Sequence, residues 1–194
     1  MKKAYVIVEG KSDEEILSRL LPENIINQIG FIAAGGRYDI QSFARSLLAV
    51  KRVPVAVVVD ADTNDETLVQ EKIDLIREML HQVSPNIPFE VFVAVPEIET
   101  LFFSATGFIP SFAHQSYSPI ELEFAKLQPK RFLHHMGIQG TVALLKILDN
   151  LAPQHIEEMR KHPLIAGLMN FLSSVIEPKN EPQHIGSELP QFQT

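Results

Sequence analysis

The hydrophobic pattern changes period partway along the chain. Up to about residue 105, short unbroken apolar runs alternate with stretches whose apolar residues recur every three or four positions. Residues 4–8 form a compact β-rich run, which predicts a buried strand. Ser12 and Glu15 make a capping-box pattern that predicts a helix over about 13–21, with Pro22 ending or kinking it and a second helical piece reaching about Gln28. Phe31-Ile32-Ala33-Ala34 predicts a second strand, closed by Gly35-Gly36. Asp39 then caps a predicted helix to about Val50, with Ile40, Phe43, Leu47 and Leu48 on one face. Residues 54–59 are the strongest strand pattern in the chain. Thr63 and Glu66 form another capping box, before a helix over about 65–82, and residues 89–95 predict a fourth strand. Strands separated by helices of this length imply right-handed crossovers, hence an α/β fold with a mostly parallel sheet flanked by helices.

Beyond about residue 105 the strand patterns stop. Ser118-Pro119-Ile120-Glu121 is a helix start, with proline at the first helical position inside a capping box. Further helices are predicted near 141–150, 153–161 and 163–176. The organisation expected is a sheet domain over 1–105, a helical extension over 106–176 packed on it, and a mobile tail over 177–194 carrying Pro178, Pro182 and Pro190.

Composition narrows the chemistry. At 194 residues and 45% hydrophobic the chain is long enough to bury a sizeable core. It has no cysteine, which excludes disulfides, thiolate zinc sites and cysteine nucleophiles. No signal-peptide pattern and no membrane-length apolar run is present, so a cytoplasmic location without membrane association is expected. The net charge is −7, and the acids concentrate early: residues 1–100 hold 10 Lys/Arg against 16 Asp/Glu, residues 101–194 hold 7 against 8. Such a chain repels phosphate at long range unless a metal or a partner offsets the charge.

Those acids fall at strand ends. Glu9-Gly10 follows the first strand, Asp60-Ala61-Asp62 follows the third, and Pro96-Glu97-Ile98-Glu99 follows the fourth. In open parallel sheets, ligands bind outside the carboxyl ends of the strands. Carboxylates crowded there need protons or a cation to neutralise them, and hard cations such as Mg²⁺ or Mn²⁺ prefer oxygen ligands. Glu9, Asp13, Asp60, Asp62, Glu97 and Glu99 are therefore the candidate metal ligands. Each has a plainer alternative. Asp13, Glu14 and Glu15 suit the positive end of a helix, as do Glu97 and Glu99. Helix capping explains Asp65 more simply than metal binding does. Gly10, Lys11, Gly35, Gly36 and Arg37 lie on the same side of the predicted sheet and are candidate phosphate contacts. Lys126, Lys130 and Arg131 form the one basic cluster. It is either a solvated face or a nucleic-acid contact through Lys130 and Arg131. His134 and His135 are adjacent, and neighbours on a helix diverge, so one shared ion is not expected there.

Val8-Glu9-Gly10-Lys11-Ser12-Asp13, then Gly35-Gly36, then Val59-Asp60-Ala61-Asp62, with 51 residues from Glu9 to Asp60, resembles the TOPRIM domain. The Val-Glu-Gly-x-Ser-Asp form and the glycine pair resemble most the overcoming-lysogenization-defect (OLD) nuclease branch, and Pro96-Glu97-Ile98-Glu99 resembles a motif of related small stand-alone TOPRIM-like proteins. The resemblance covers about residues 3–104. It implies a TOPRIM-like Rossmannoid four-stranded sheet, with strand order 2-1-3-4 placing Glu9 beside Asp60. It also implies a Mg²⁺- or Mn²⁺-dependent phosphodiesterase, a nuclease acting on DNA or else on RNA, in phage defence or DNA repair. In it Glu9, Asp60 and Asp62 are catalytic: Glu9 is general acid/base or ligand, and Asp60 and Asp62 hold metal. The ATPase domain of full-length OLD proteins has no room here, so an ATPase or other protein partner is implied. Two other readings stand beside it. One is a non-catalytic TOPRIM-fold module that binds nucleotide or a partner. The other is a haloacid-dehalogenase-type phosphatase, whose Asp-x-Asp-x-Thr motif matches Asp60-Ala61-Asp62-Thr63.

Overall fold

The computed structural model describes residues 1–84, 86–109 and 116–177, without the side chains of Arg37, Tyr38 and Thr141. Its centre is a four-stranded sheet built from β1 (Ala4–Val8), β2 (Ile29–Ala33), β3 (Val55–Asp60) and β4 (Phe89–Ala94). The order is β2-β1-β3-β4 and every pairing is parallel. Between the strands run α1 (Lys11–Leu20), α2 (Glu23–Ile26), α3 (Arg37–Ser46) and α4 (Glu66–His81).

The side-chain alternation of the strands feeds two cores. Ala4, Val6, Val8, Ala56, Val58 and Ala94 face one way, with α1 against them. Ile7, Val55, Val57, Val59 and Val91 face the other, against Ile40, Ala44, Ile76 and Leu80 of α3 and α4. β3 is buried along its whole length, and at ~1.5–3 kcal/mol per fully buried valine it anchors the domain. This two-sided burial is why residues 54–59 read so clearly as a strand.

The second half is helical: α5 (Pro119–Leu127), α6 (Pro129–His135), α7 (Gly140–Leu148), α8 (Pro153–Arg160) and α9 (Pro163–Ile176). These helices share the first core rather than forming their own. Leu164, Ile165, Leu168, Leu172 and Ile176 of α9 belong to the cluster that holds β1 and β3. A side chain at Gly167 would come within 3.2 Å of the Phe92 ring, so the glycine lets α9 lie close on β4. Arg160 donates to the Leu20 carbonyl at 2.6 Å, and Lys3 to that of Ile176 at 3.2 Å. No described helix is long and apolar enough to cross a membrane.

Several local expectations shift. Helix α1 starts two residues earlier than the Ser12–Glu15 pattern implied. Gly10 precedes it, and the Asp13 carboxylate takes the Gly10 N–H at 2.9 Å. Asp65, not Thr63, caps α4, accepting from the N–H groups of Thr67 at 2.8 Å and Leu68 at 3.2 Å. Asp39 is no cap: α3 begins at Arg37 after Gly36, and its end widens into a π-turn over Leu47–Lys51. The sequence pattern assigns no separate helix to residues 129–135; here Pro129 takes the first position of one, α6, with a single residue between it and the end of α5. The Ser118–Glu121 capping box is present as expected. The expected tail lies, from residue 178, outside the described residues.

Candidate functional site

The strand order reverses between β1 and β3, and their carboxyl ends open a crevice. Glu9 and Asp60 meet there. Glu9 Oε1 accepts the backbone N–H of Asp60 at 3.2 Å. Gly35, with φ +82°, turns the chain out of β2 and donates its N–H to the Glu9 carbonyl at 2.9 Å. A side chain at Gly35 or Gly36 would meet open space, so this loop borders the crevice without filling it.

Beyond Asp60 the chain continues to pair with the segment after β4. The Ala61 N–H donates to the Ala94 carbonyl at 2.7 Å, and the Asp62 N–H to the Pro96 carbonyl at 2.9 Å. The Val95–Pro96 peptide is cis. Residues Ile98–Phe103 then form a 3₁₀ turn preceded by Glu97. This pairing carries Glu97 and Glu99 to the same crest as Asp60. The Ile98 N–H donates to Asp60 Oδ1 at 2.8 Å.

Two lysines reach into the acids. Lys130 of α6 donates from Nζ to Asp60 Oδ2 at 2.7 Å and stands 3.6 Å from Glu99 Oε2. Its backbone N–H donates to Glu97 Oε2 at 3.0 Å. Lys72 of α4 donates to the Asp60 carbonyl and stands 3.6 Å from Asp62 Oδ2. Lys72 escaped the sequence reading. The signal for it is phase: it lies two helical turns past the Asp65 cap, on the face that returns to the end of β3.

The electrostatics fit a crowded acidic site. Burial pushes the Glu9 carboxyl up, and the Asp60 charge adds to this against the opposing pull of the Asp60 N–H. Burial likewise raises Asp13, countered by its bond from Gly10 and reinforced by Asp60. Glu99 is pushed up to about 7 by burial, with Lys130 opposing. Burial by itself would lower Lys130, but the Asp60 bond and the charges of Glu99, Asp60 and Glu97 hold its ammonium above the ordinary lysine value. Glu99 Oε2 is buried and accepts no hydrogen bond.

The other candidates are dispersed. Lys11 turns to its own helix, pairing with Glu14 at 2.8 Å and Glu15 at 3.8 Å. Arg131 donates to Gln128 at 3.0 Å and, with Asp62 and Glu97, lines a cavity of about 340 Å³ beside the crest. The Arg37 side chain lies outside the described residues. Among the described residues, no three carboxylate or imidazole groups converge as a ready metal cage. The donors nonetheless suit a hard cation. Glu9, Asp13, Asp60 and Asp62 offer carboxylate oxygens, burial and then the Asp60 charge raise Glu9 and Asp13, and positive charge already enters the cluster as two ammonium groups.

Neither a family model nor a curated protein matches the sequence. Solved structures do. The C-terminal region of the Burkholderia pseudomallei OLD protein aligns over 91% of this chain and 100% of its own, at 14% identity and a TM-score of 0.51. The C-terminal region of the Xanthomonas campestris pv. campestris OLD protein aligns over 91% of this chain and 96% of its own, at 12% identity and a TM-score of 0.45. The first alignment takes in the helical half as well as the sheet, and the chain has the TOPRIM-like fold of an OLD protein C-terminal region.

Proposed function

We propose that the chain is a Mg²⁺- or Mn²⁺-dependent phosphodiesterase, most simply a nuclease. The observation that carries this reading is the meeting of Glu9 with Asp60 at the switch point of a parallel sheet, with Asp13, Asp62, Glu97 and Glu99 ranged around them. Glu9, Asp13, Asp60 and Asp62 would hold the cation. Glu97 and Glu99, on the facing turn, complete the ring of acidic charge. A bound divalent ion supplies charge stabilisation at the attacking and leaving oxygens of a phosphodiester and eases deprotonation of water.

The chain's own residues do the rest. Glu9, with its proton affinity raised, accepts or returns a proton at the crevice. Asp60 is oriented through Ile98 N–H on one oxygen and Lys130 on the other. Lys130, half-exposed and held at the crest by Asp60 and Glu99, would present its ammonium to a phosphate bound there, and Arg131 lies one residue further along α6. The Gly35-Gly36 loop leaves space beside Glu9 for a backbone phosphate. A second polypeptide, such as an ATPase, would supply the positive surface that a chain of net charge −7 lacks.

The test is cleavage of supercoiled plasmid, single-stranded DNA and RNA with Mg²⁺ or Mn²⁺, beside Glu9→Gln and Asp60→Asn. Metal-dependent cleavage lost in both variants supports the reading. Folded wild type that cleaves nothing, alone or with added cell extract, removes it in favour of a TOPRIM-fold binding module. The phosphatase reading is not favoured, because its Asp-x-Asp motif comes after the third strand rather than opening the fold, and it leaves the Glu9 contact with Asp60 without a role.

A further inference from the structure

Helix α5 presents an apolar stripe to solvent. Ile120, Phe124 and Leu127 recur at helical spacing and are 69%, 67% and 49% exposed. Phe124 and Leu127 line a groove of about 630 Å³ along α5 and α6. Tyr117 and Phe132 stand together in the same groove, with ring centroids 4.9 Å apart, whereas the Phe124 ring meets no other ring among the described residues. Ala125 is the small, buried member of the lining.

The polar lining is cationic or neutral apart from one residue. Arg131 is exposed and forms no ion pair among the described residues; it donates to Gln128 Oε1 at 3.0 Å and leaves the rest of its guanidinium fork free. His134 and His135 add two exposed imidazoles, each able to donate a hydrogen bond. Glu121 is the single carboxylate, and its Oε2 is taken at the start of α5 by the Ser118 N–H at 2.7 Å and the Ser118 hydroxyl at 2.8 Å. Residues 119–135 hold three Lys/Arg against two Asp/Glu, a charge of +1 in a chain of −7. Leu127, Gln128 and Arg131 also line the cavity of about 340 Å³ that Asp62 and Glu97 border, so the groove runs on from the acidic crest.

An exposed aromatic face beside an unpaired guanidinium is what single-stranded nucleic acid binds: a base stacks on the ring and the adjoining phosphate meets the arginine. A duplex keeps its base faces stacked inside and offers none to Phe124. An acidic peptide would match the charge of α6 alone, while a phosphodiester strand also accounts for the continuity with the crest. We propose that the α5–α6 groove binds a single-stranded segment next to the scissile phosphate, with one base on the Phe124 ring and a neighbouring phosphate on Arg131. The inference rests on the phosphodiesterase reading and deepens it by assigning the path of the strand beyond the crest. Stacking on a ring serves any base, so the groove selects strandedness rather than sequence.

The test is fluorescence anisotropy with the whole chain at fixed Ca²⁺ and varied NaCl, using a labelled single strand, the same strand made abasic, and the duplex. Cleavage of each is followed in parallel with Mg²⁺ or Mn²⁺. Phe124→Ala, at an exposed position outside the core, should weaken single-strand binding about tenfold and leave abasic-strand binding unchanged. Phe124→Trp should keep the wild-type affinity. Arg131→Gln should weaken ordinary and abasic strands alike and reduce the slope of log affinity against log salt by about 0.7. Single-strand binding that neither Phe124→Ala nor Arg131→Gln alters overturns the inference; with cleavage retained, it leaves the phosphodiesterase standing and gives the stripe to a protein partner. Equal loss by Phe124→Ala on ordinary and abasic strands also overturns it, since the ring would then be no stacking platform. Binding lost in both variants, from a wild type that cleaves nothing, keeps the groove and removes the nuclease. No binding or cleavage of any substrate overturns both.

Discussion

The same sequence device is used twice at the crest, with different results. At the end of β1, and again at the end of β3, an apolar strand gives way to an acid and then a helix. Glu9 ends the first and remains half-buried, with one oxygen on the Asp60 N–H. Asp60 ends the second, is 5% exposed, and has Ile98 and Lys130 on its two oxygens. Asp60 is thus the group on which the 3₁₀ turn and the helical half converge, while Glu9 is comparatively unencumbered. Two acids in similar local settings end up with different partners, because only one of them sits where a third segment arrives.

Mutation should widen that difference. Asp60→Ala leaves the Ile98 N–H and the Lys130 ammonium without their acceptor, and should lose all activity together with about 2–3 kcal/mol of stability, read by urea unfolding. Glu9→Gln should lower the cleavage rate by about 10²–10⁴-fold yet change stability by less than about 1 kcal/mol. Equal destabilisation by both would erase the distinction.

The pH response offers a second view of the crest. Glu99 carries a folded-state value of about 7 against an ordinary 4.5, so the folded protein holds that proton more tightly than the unfolded chain. Stability is then unpenalised below about 4.5, falls as pH rises through the window, and reaches its full loss above about 7. The loss should be at most about 3 kcal/mol in metal-free buffer, and Glu99→Gln should flatten it. Raised values at Glu9 and Asp13 act in the same direction.

The helical half should respond with the opposite sign and a smaller amplitude. His162 precedes α9 and its Nδ1 accepts the Leu164 N–H at 3.3 Å, which requires the unprotonated ring. Burial holds its pKa below 6.5. The capping stability is present above 6.5 and declines as pH falls through the lowered value, by about 1 kcal/mol. His162→Asn should keep the cap and remove the dependence, seen as a thermal midpoint that no longer drops on mild acidification.

The legibility of these features follows from the range of the forces behind them. β3 was readable because five successive buried aliphatic residues leave a strand little alternative, and the Ser118 cap because its bonds close within three residues. Asp13 stands apart from Glu14 and Glu15 in the sequence through the motif after the first strand, and its bond to Gly10 and its burial separate it from them in the structure. The basic cluster at 126–131 was open to two readings, and its members indeed diverge. Lys126 pairs with Glu123 on its own helix at 2.6 Å, whereas Lys130 crosses to the crest.

By itself the sequence determined the order of strands and helices, the parallel sheet, and the placing of acids at strand ends, since apolar period, capping and chain reversal act over a few residues. The tertiary structure alone decided that Lys130 meets Asp60 from 70 residues away, that α9 closes one face of the sheet, and that Glu99 is buried beside the Lys130 ammonium. Those outcomes depend on how distant surfaces pack. A lysine on a helix has no local preference for one carboxylate over another until packing brings a single carboxylate within reach.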